Sequence, residues 1–398
     1  MQYQLSDRIL GVKPSAIREI LKMSSDPSVI AFSAGNPAPE ALPVDTVKEI
    51  IDDIFAKNPI QALQYSVTEG YQPLRQELER LCAKRYGIFM EENRVIVVSG
   101  AQQGIELACK ILCNEGDTVL CEDPSFIGSL NSFRSYGVNL RGVELEEDGI
   151  HLGKLEEVLS SDPKAKLLYL IPNFQNPSGG TMSWEKRKAV YQLACRWNVI
   201  ILEDDPYGEL RFSGEVIPSI KSMDKEGRVI YVGSFSKILS PGLRVGYAVM
   251  NQGLAEKFTV AKQCSDVHTA ILNQVICHKF LAEYDLEAHL AGLRQLYKEK
   301  CGLMLSQIQE HFSSRISYTV PEGGLFLWCR LPEGVDMLDF CTQAVERCRV
   351  AVVPGTAFNC DEQASSPCFR MNFSSPTNEM IVEGCRRLGA LTRELLGD

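Results

Sequence analysis

The chain has 398 residues, 45% hydrophobic and 23% charged, which is the balance of a globular protein with core enough for roughly two to three domains. A net charge of −10 and the lack of any Lys/Arg block argue against nucleic-acid binding, and no apolar run approaches the roughly 18 residues of a membrane span. The opening Met1-Gln2-Tyr3-Gln4-Leu5-Ser6-Asp7 lacks the basic and apolar regions of a signal peptide, so a cytoplasmic protein is expected.

Residues 1 to about 45 read as irregular, with Pro14, Pro27, Pro37, Pro39 and Pro43 breaking any long helix. Within them Ser33-Ala34-Gly35-Asn36-Pro37 is a glycine turn at which backbone can approach a ligand closely. Asp45 reads as the cap of a helix whose apolar face is Val47, Ile50, Ile51, Ile54 and Phe55. The polar loop Gln64-Tyr65-Ser66-Val67-Thr68-Glu69-Gly70 leads to a second helix with Leu74, Leu78, Leu81 and Cys82 on one face.

From about residue 95 the pattern becomes strand, turn, helix, repeated. The first strand, 95–98, ends at Ser99-Gly100-Ala101-Gln102-Gln103-Gly104, and the helix after it carries Ile105, Ala108, Ile111 and Leu112. A glycine turn into a helix start presents free N–H groups to an anion, although many α/β proteins use such turns only as connectors. Further strands are expected at 118–121, 138–143, 167–171, 199–202, 229–232 and 245–250, apolar enough to be covered on both faces. Beyond about residue 280 helices and strands fall in separate blocks. The division expected is an arm with part of a small domain (1–45), a large α/β domain (46–280) and a small α+β domain (281–398). The 14 cysteines are scattered, with neither a Cys-x-x-Cys pair nor matched His spacing, so they are expected to be reduced and structural, and no metal site is expected.

Four stretches carry chemistry. Ser234-Phe235-Ser236-Lys237 follows a buried strand, and Arg244 comes seven residues later. A lysine beside serines suits an amine that bonds a carbonyl while hydroxyls hold a nearby anion, and Arg244 adds a fork of donors. Pro241 and Gly242 turn the backbone so that Lys237 and Arg244 face one pocket. Glu203-Asp204-Asp205-Pro206-Tyr207 is an acidic cluster at the end of a buried strand, costly unless paired. Asn176-Pro177-Ser178-Gly179 reads as a turn. Arg370, inside an apolar strand, needs an anion, either a bound carboxylate or an intraprotein partner.

Together these stretches resemble the fold-type I pyridoxal-5′-phosphate enzymes, the aspartate aminotransferase superfamily, over essentially the whole chain. The opening Lys13-Pro14-Ser15-Ala16-Ile17-Arg18 and the turn Gly100-Ala101-Gln102-Gln103 look closest to the kynurenine/α-aminoadipate aminotransferase group. The aminotransferase-like half of MocR-type regulators is also similar. The resemblance implies an α/β fold with a mostly parallel seven-stranded sheet flanked by helices, plus a smaller α+β domain.

It also implies roles. Lys237 would form the Schiff base with pyridoxal 5′-phosphate, and Asp204 would pair the pyridinium nitrogen. Tyr207 and Asn176 would bond the ring hydroxyl, with Asp205 solvated or structural. Phe126, in Glu122-Asp123-Pro124-Ser125-Phe126, would stack on the ring where many relatives have Tyr; Ser178 stands where the family has Thr. Ser234, Ser236, Arg244 and the turn of Gly100, Ala101 and Gln102 would hold the phosphate, joined by Tyr65 reaching across a homodimer interface. Gly35, Asn176 and Arg370 would meet the substrate, with Arg370 on its α-carboxylate. Arg18, a solvated helix residue when read alone, matches an arginine that closes over substrate in the α-aminoadipate group.

The reaction implied is ping-pong amino-group transfer between an amino acid and a 2-oxo acid, with glutamate/2-oxoglutarate as one pair. A lyase or decarboxylase on the same scaffold stays open. A MocR-like effector sensor would need a DNA-binding domain ahead of the fold, which here is expected to begin within the first few dozen residues.

Overall fold

The computed structural model describes residues 3–10, 26 and 28–398. The expectations for Pro14, Arg18 and Pro27 lie outside the described residues. Seven strands build the large sheet: β1 (Asn93–Val98), β2 (Thr118–Asp123), β3 (Asn139–Glu146), β4 (Ala165–Leu170), β5 (Ile200–Asp205), β6 (Val229–Ser234) and β7 (Gly246–Asn251). Their spatial order is β1-β7-β6-β5-β4-β2-β3. Neighbours run parallel except that β7 is antiparallel to both β1 and β6. The sheet is one strand larger than expected, because Gly149–Ile150 turns back onto the edge of β3. Two residues are too short a run for alternation to reveal.

The apolar runs of the inner strands are covered on both faces, as in β1, where Val95, Ile96, Val97 and Val98 are all buried. The run expected at 138–143 is not: only Val138 and Val143 are buried there, and Asn139, Arg141 and Gly142 are exposed, because β3 lies toward the sheet edge and polar residues interrupt its apolar ones. Helix α1 (Val44–Lys57) starts a residue before Asp45: Pro43 is its N-cap and Asp45 sits in the first turn. Asp45 therefore acts as a charge near the positive helix end rather than as a cap. Ile50 and Ile54 are buried, whereas Phe55 is exposed and falls off the apolar face. Helix α2 (Gln72–Tyr86) buries Leu74, Leu78 and Cys82, and α3 (Ala101–Leu112) follows β1 through Gly100. Helix α4 (Gln252–Asp266) follows β7.

A second, antiparallel sheet joins β8 (Phe326–Arg330) and β9 (Cys368–Asn372) to the short strands Ser317–Tyr318 and Val353–Pro354. Nearby, Ile30–Ala31 pairs in parallel with Val350–Ala351, which ties the start of the chain to its end. Helix α5 (Leu286–His311) packs on α6 (Asn378–Leu396). The 14 cysteines are free, and Cys264 is the exposed one. Among the described residues no helix is long and apolar enough to cross a membrane. The carboxyl ends of β5 and β6 deliver Asp204 and Ser234 to the rim of the parallel sheet, where ligands bind in such folds.

Candidate active site

A cavity of about 590 Å³ opens at that rim and is flanked by β8 and β9 of the second sheet. Gly35, Ala101, Gln102, Phe126, Asn176, Asp204, Tyr207, Ser234, Ser236, Lys237, Arg244 and Arg370 all line it. Gly100 stands just behind, as the N-cap of α3. Tyr65 does not reach the cavity of its own chain: it is 83% exposed, with its ring edge-on to His268 at 5.8 Å.

Strand β6, buried throughout, carries Ser234 to the cavity, and the Ser236 amide donates to Ser234 Oγ at 3.1 Å. The turn brings Lys237 to Gly35, whose carbonyl accepts from Nζ at 2.7 Å across 202 positions of sequence. Burial pulls this amine down to about 8, helped by the charges of Arg370 and Arg244. Arg244, at φ 52°, swings back so that Nη2 donates to the Ser99 carbonyl at 3.3 Å. Gly100 has φ 82°, and a Cβ there would overlap the Arg244 guanidinium. Glycine is required on both counts. Ala101 and Gln102, the first residues of α3, give this end of the cavity the positive end of a helix beside the two serines and Arg244.

Strand alternation sends the two aspartates of β5 to opposite faces. Asp204 Oδ2 accepts from the Tyr169 hydroxyl at 2.7 Å, and Ser129 Oγ bonds that hydroxyl from behind at 2.8 Å. Asp204 Oδ1 is buried with no partner among the described residues. Burial pushes this carboxyl up to about 7, against the Tyr169 hydrogen bond. Asp205 accepts from Asn173, Tyr231 and the Gly208 amide, each at 3.0 Å, so of its two readings the structural one holds. Tyr207 is also buried, which pushes its hydroxyl up while the Arg370 charge pulls the other way.

Arg370 rises from β9. Its Nη1 donates to Asn176 Oδ1 at 2.7 Å and its Nη2 to the Ser33 carbonyl at 2.9 Å. The guanidinium lies 4.2 Å over the Phe326 ring and 5.1 Å over that of Phe358. Nε is buried without a partner, and no carboxylate of the described residues pairs with the guanidinium. Burial lowers this guanidinium to about 10, so it remains a cation at neutral pH. A buried cation without a counter-charge is costly, and a bound carboxylate would balance it.

Tyr169, Ser129, Ile127, Val353 and Phe358 belong to the site or its support and were not legible in the sequence. Tyr169 sits inside an apolar strand and reads as core, while Ile127, Val353 and Phe358 sit in no recognisable motif. The groups present suit pyridoxal phosphate. There is an amine for its aldehyde, an orphaned buried carboxylate oxygen for its protonated ring nitrogen, and a cationic helix start with serines for its phosphate.

The family model described as aminotransferase class I and II matches residues 27–388. The chain belongs to this family. The aminotransferase is 38% identical to aromatic-amino-acid aminotransferase 1 of Thermococcus litoralis, over 98% of this chain and 94% of that one. It superposes on the kynurenine aminotransferase of Pyrococcus horikoshii, solved with PMP, at a TM-score of 0.94 and 36% identity, covering 98% and 97% of the two chains. The α-aminoadipate aminotransferase of Thermus thermophilus, complexed with N-(5′-phosphopyridoxyl)-L-leucine, gives 0.90 and 37%, covering 99% and 98%. The enzyme uses pyridoxal 5′-phosphate and moves amino groups between an amino acid and a 2-oxo acid.

Proposed function

We propose that this aminotransferase takes amino acids with aromatic or aliphatic side chains at one half of its cycle and glutamate/2-oxoglutarate at the other, through Lys237, Asp204, Tyr207 and Arg370. The observation that carries the reading is the convergence on one cavity of the Lys237 amine, the half-satisfied Asp204 carboxylate and the unbalanced Arg370 cation. When bound, pyridoxal phosphate supplies a carbonyl carbon for the amino group and a ring that spreads the charge left on the substrate α-carbon. Lys237 Nζ takes the proton from that α-carbon, and the burial that lowers this amine favours the neutral form a base needs. Asp204 Oδ1 keeps the ring nitrogen protonated. Tyr207 and Asn176 hold the ring hydroxyl, and Phe126 packs on the ring. Ser234, Ser236, Arg244 and the amides around Gly100, Ala101 and Gln102 hold the phosphate.

Arg370 grips the substrate carboxylate with its fork, assisted by Asn176, and Gly35 leaves room beside it. The rest of the wall includes Ile127, Phe326, Val353 and Phe358, which favours apolar side chains. Arg18 is the group we assign to the distal carboxylate of dicarboxylic substrates. The exposed Tyr65 supports a homodimer in which it reaches the phosphate of the second copy, and we read the enzyme as cytoplasmic. Residues 46–280 form the cofactor domain in this reading, and 281–398 with the arm 1–45 form the smaller one. Mixing the loaded enzyme with a panel of amino acids, while following the cofactor's visible band and the keto acid released, tests the proposal. Bleaching with stoichiometric keto acid from aromatic and aliphatic amino acids is expected; bleaching by dicarboxylic amino acids alone would overturn the substrate assignment.

A further inference from the structure

Behind the turn at Ser99 and Gly100 lies a polar cluster that does not line the cavity. Its centre is Lys262 of α4, which is fully buried. Lys262 Nζ donates to Gln103 Oε1 at 2.7 Å, to Asp266 Oδ1 at 2.9 Å and to Thr269 Oγ1 at 3.1 Å. Asp266 Oδ2 in turn accepts from Ser99 Oγ at 2.7 Å and from Gln103 Nε2 at 2.8 Å. The Ser99 amide donates to Gln103 Oε1 at 2.8 Å. Both the amide and the hydroxyl of Ser99 are thus tied to groups that Lys262 holds, and the Ser99 carbonyl is the acceptor for Arg244.

The next residues add a second observation. The His268 amide donates to the Asp266 carbonyl at 2.7 Å, closing a three-residue turn at Val267 with φ 64° and ψ −59°. A β-branched residue seldom adopts that conformation, and it persists only where the surroundings hold it. His268 Nε2 then accepts from the Ser66 amide at 3.2 Å, next to Tyr65. A lysine and an aspartate four residues apart on a helix usually meet in solvent for a small gain. Burying such a lysine is costly, and here its partners converge on the backbone beside Gly100.

We propose that Lys262 is a positioning residue for the phosphate end of the cavity: it orders Gln103, Asp266 and Ser99, and through them fixes Arg244 and the start of α3 before the cofactor arrives. The inference rests on reading that end as the phosphate site. Preorganised donors lose less freedom on binding, so their loss should appear in affinity for the phosphorylated cofactor alone.

The test titrates the full-length, cofactor-stripped chain with pyridoxal phosphate and, separately, with pyridoxal, for wild type and Lys262→Met. Loss of ordered charge-assisted bonds predicts pyridoxal phosphate binding weaker by about 10- to 100-fold, with pyridoxal binding unchanged. Equal weakening of both ligands, or of neither, overturns the positioning role while leaving the phosphate reading intact. Wild type binding the two equally well overturns the phosphate reading and the proposal with it. Should Lys262→Met fail to fold, Gln103→Met cuts the same chain of bonds at a half-buried residue, and an unchanged preference for pyridoxal phosphate there overturns the proposal.

Discussion

Replacing Tyr169 by phenylalanine removes one hydroxyl from the far side of Asp204 and leaves the cavity wall untouched. That hydroxyl donates to Asp204 Oδ2 at 2.7 Å in a buried setting, and a hydrogen bond to a charged group contributes about 1.5–3 kcal/mol. At about 1.4 kcal/mol per pKa unit, its loss should raise the Asp204 pKa by roughly one to two units. The direction follows because the bond favours the ionised form. With the carboxylate easier to protonate, the ring nitrogen is held less firmly, and kcat should fall about tenfold or more. The acid limb of the kcat–pH profile should move toward higher pH. Cofactor retention should persist, since the serines and Arg244 lie at the other end of the cavity. Ser129, whose hydroxyl bonds that of Tyr169 at 2.8 Å, is left with a missing partner, so thermal stability should fall as well. Steady-state kinetics across pH, with cofactor content measured on the same samples, make the test. A variant that loses stability but keeps the kcat–pH profile of wild type would refute the idea that Tyr169 tunes Asp204.

Burial raises Glu122 to about 8 and Glu203 and Asp204 to about 7, so the folded, cofactor-free chain holds protons that the unfolded chain has already released. Its stability should therefore fall as pH rises from about 5 to about 8, and Asp204→Asn should make that fall shallower; an unchanged slope in thermal melts would contradict the assignment. Arg370→Gln should cut single-turnover bleaching by amino acids by at least about 1.5–3 kcal/mol while sparing the corresponding decarboxylated amines, and equal losses for both would count against a carboxylate grip. Arg18→Gln should weaken dicarboxylic substrates by about 1.5–3 kcal/mol and leave aromatic ones unchanged in kcat/KM; a uniform loss would mean that Arg18 orders the arm instead.

Most of the seven long strands were legible because they are apolar runs with clear ends, as at 229–232 before Gly233 and 199–202 before Glu203, whereas 138–143 alternates apolar with polar residues and is only partly buried. Gly149–Ile150 was not, because pairing of two residues depends on a neighbouring strand and leaves no period of its own. The cap of α1 lies two residues earlier than Asp45 because Pro43 ends the irregular segment just before the helix and takes the cap position. Within the site, residues in short chemical motifs such as Lys237 and Asp204 announced themselves. Tyr169 was hidden, since a tyrosine amid leucines carries no sign that its hydroxyl meets a carboxylate 35 positions away. The same holds for Lys262, whose helix shows an ordinary i, i+4 pair and whose burial is created by packing against Gln103 and Thr269.

The proposed reaction depends on Lys237 being the amine that bonds the cofactor. Reducing the loaded enzyme with borohydride and mapping its peptides tests this directly. The expected result is a pyridoxyl group on Lys237, in the segment that begins Ser234-Phe235-Ser236. A label on another lysine, or no label on any, would contradict it.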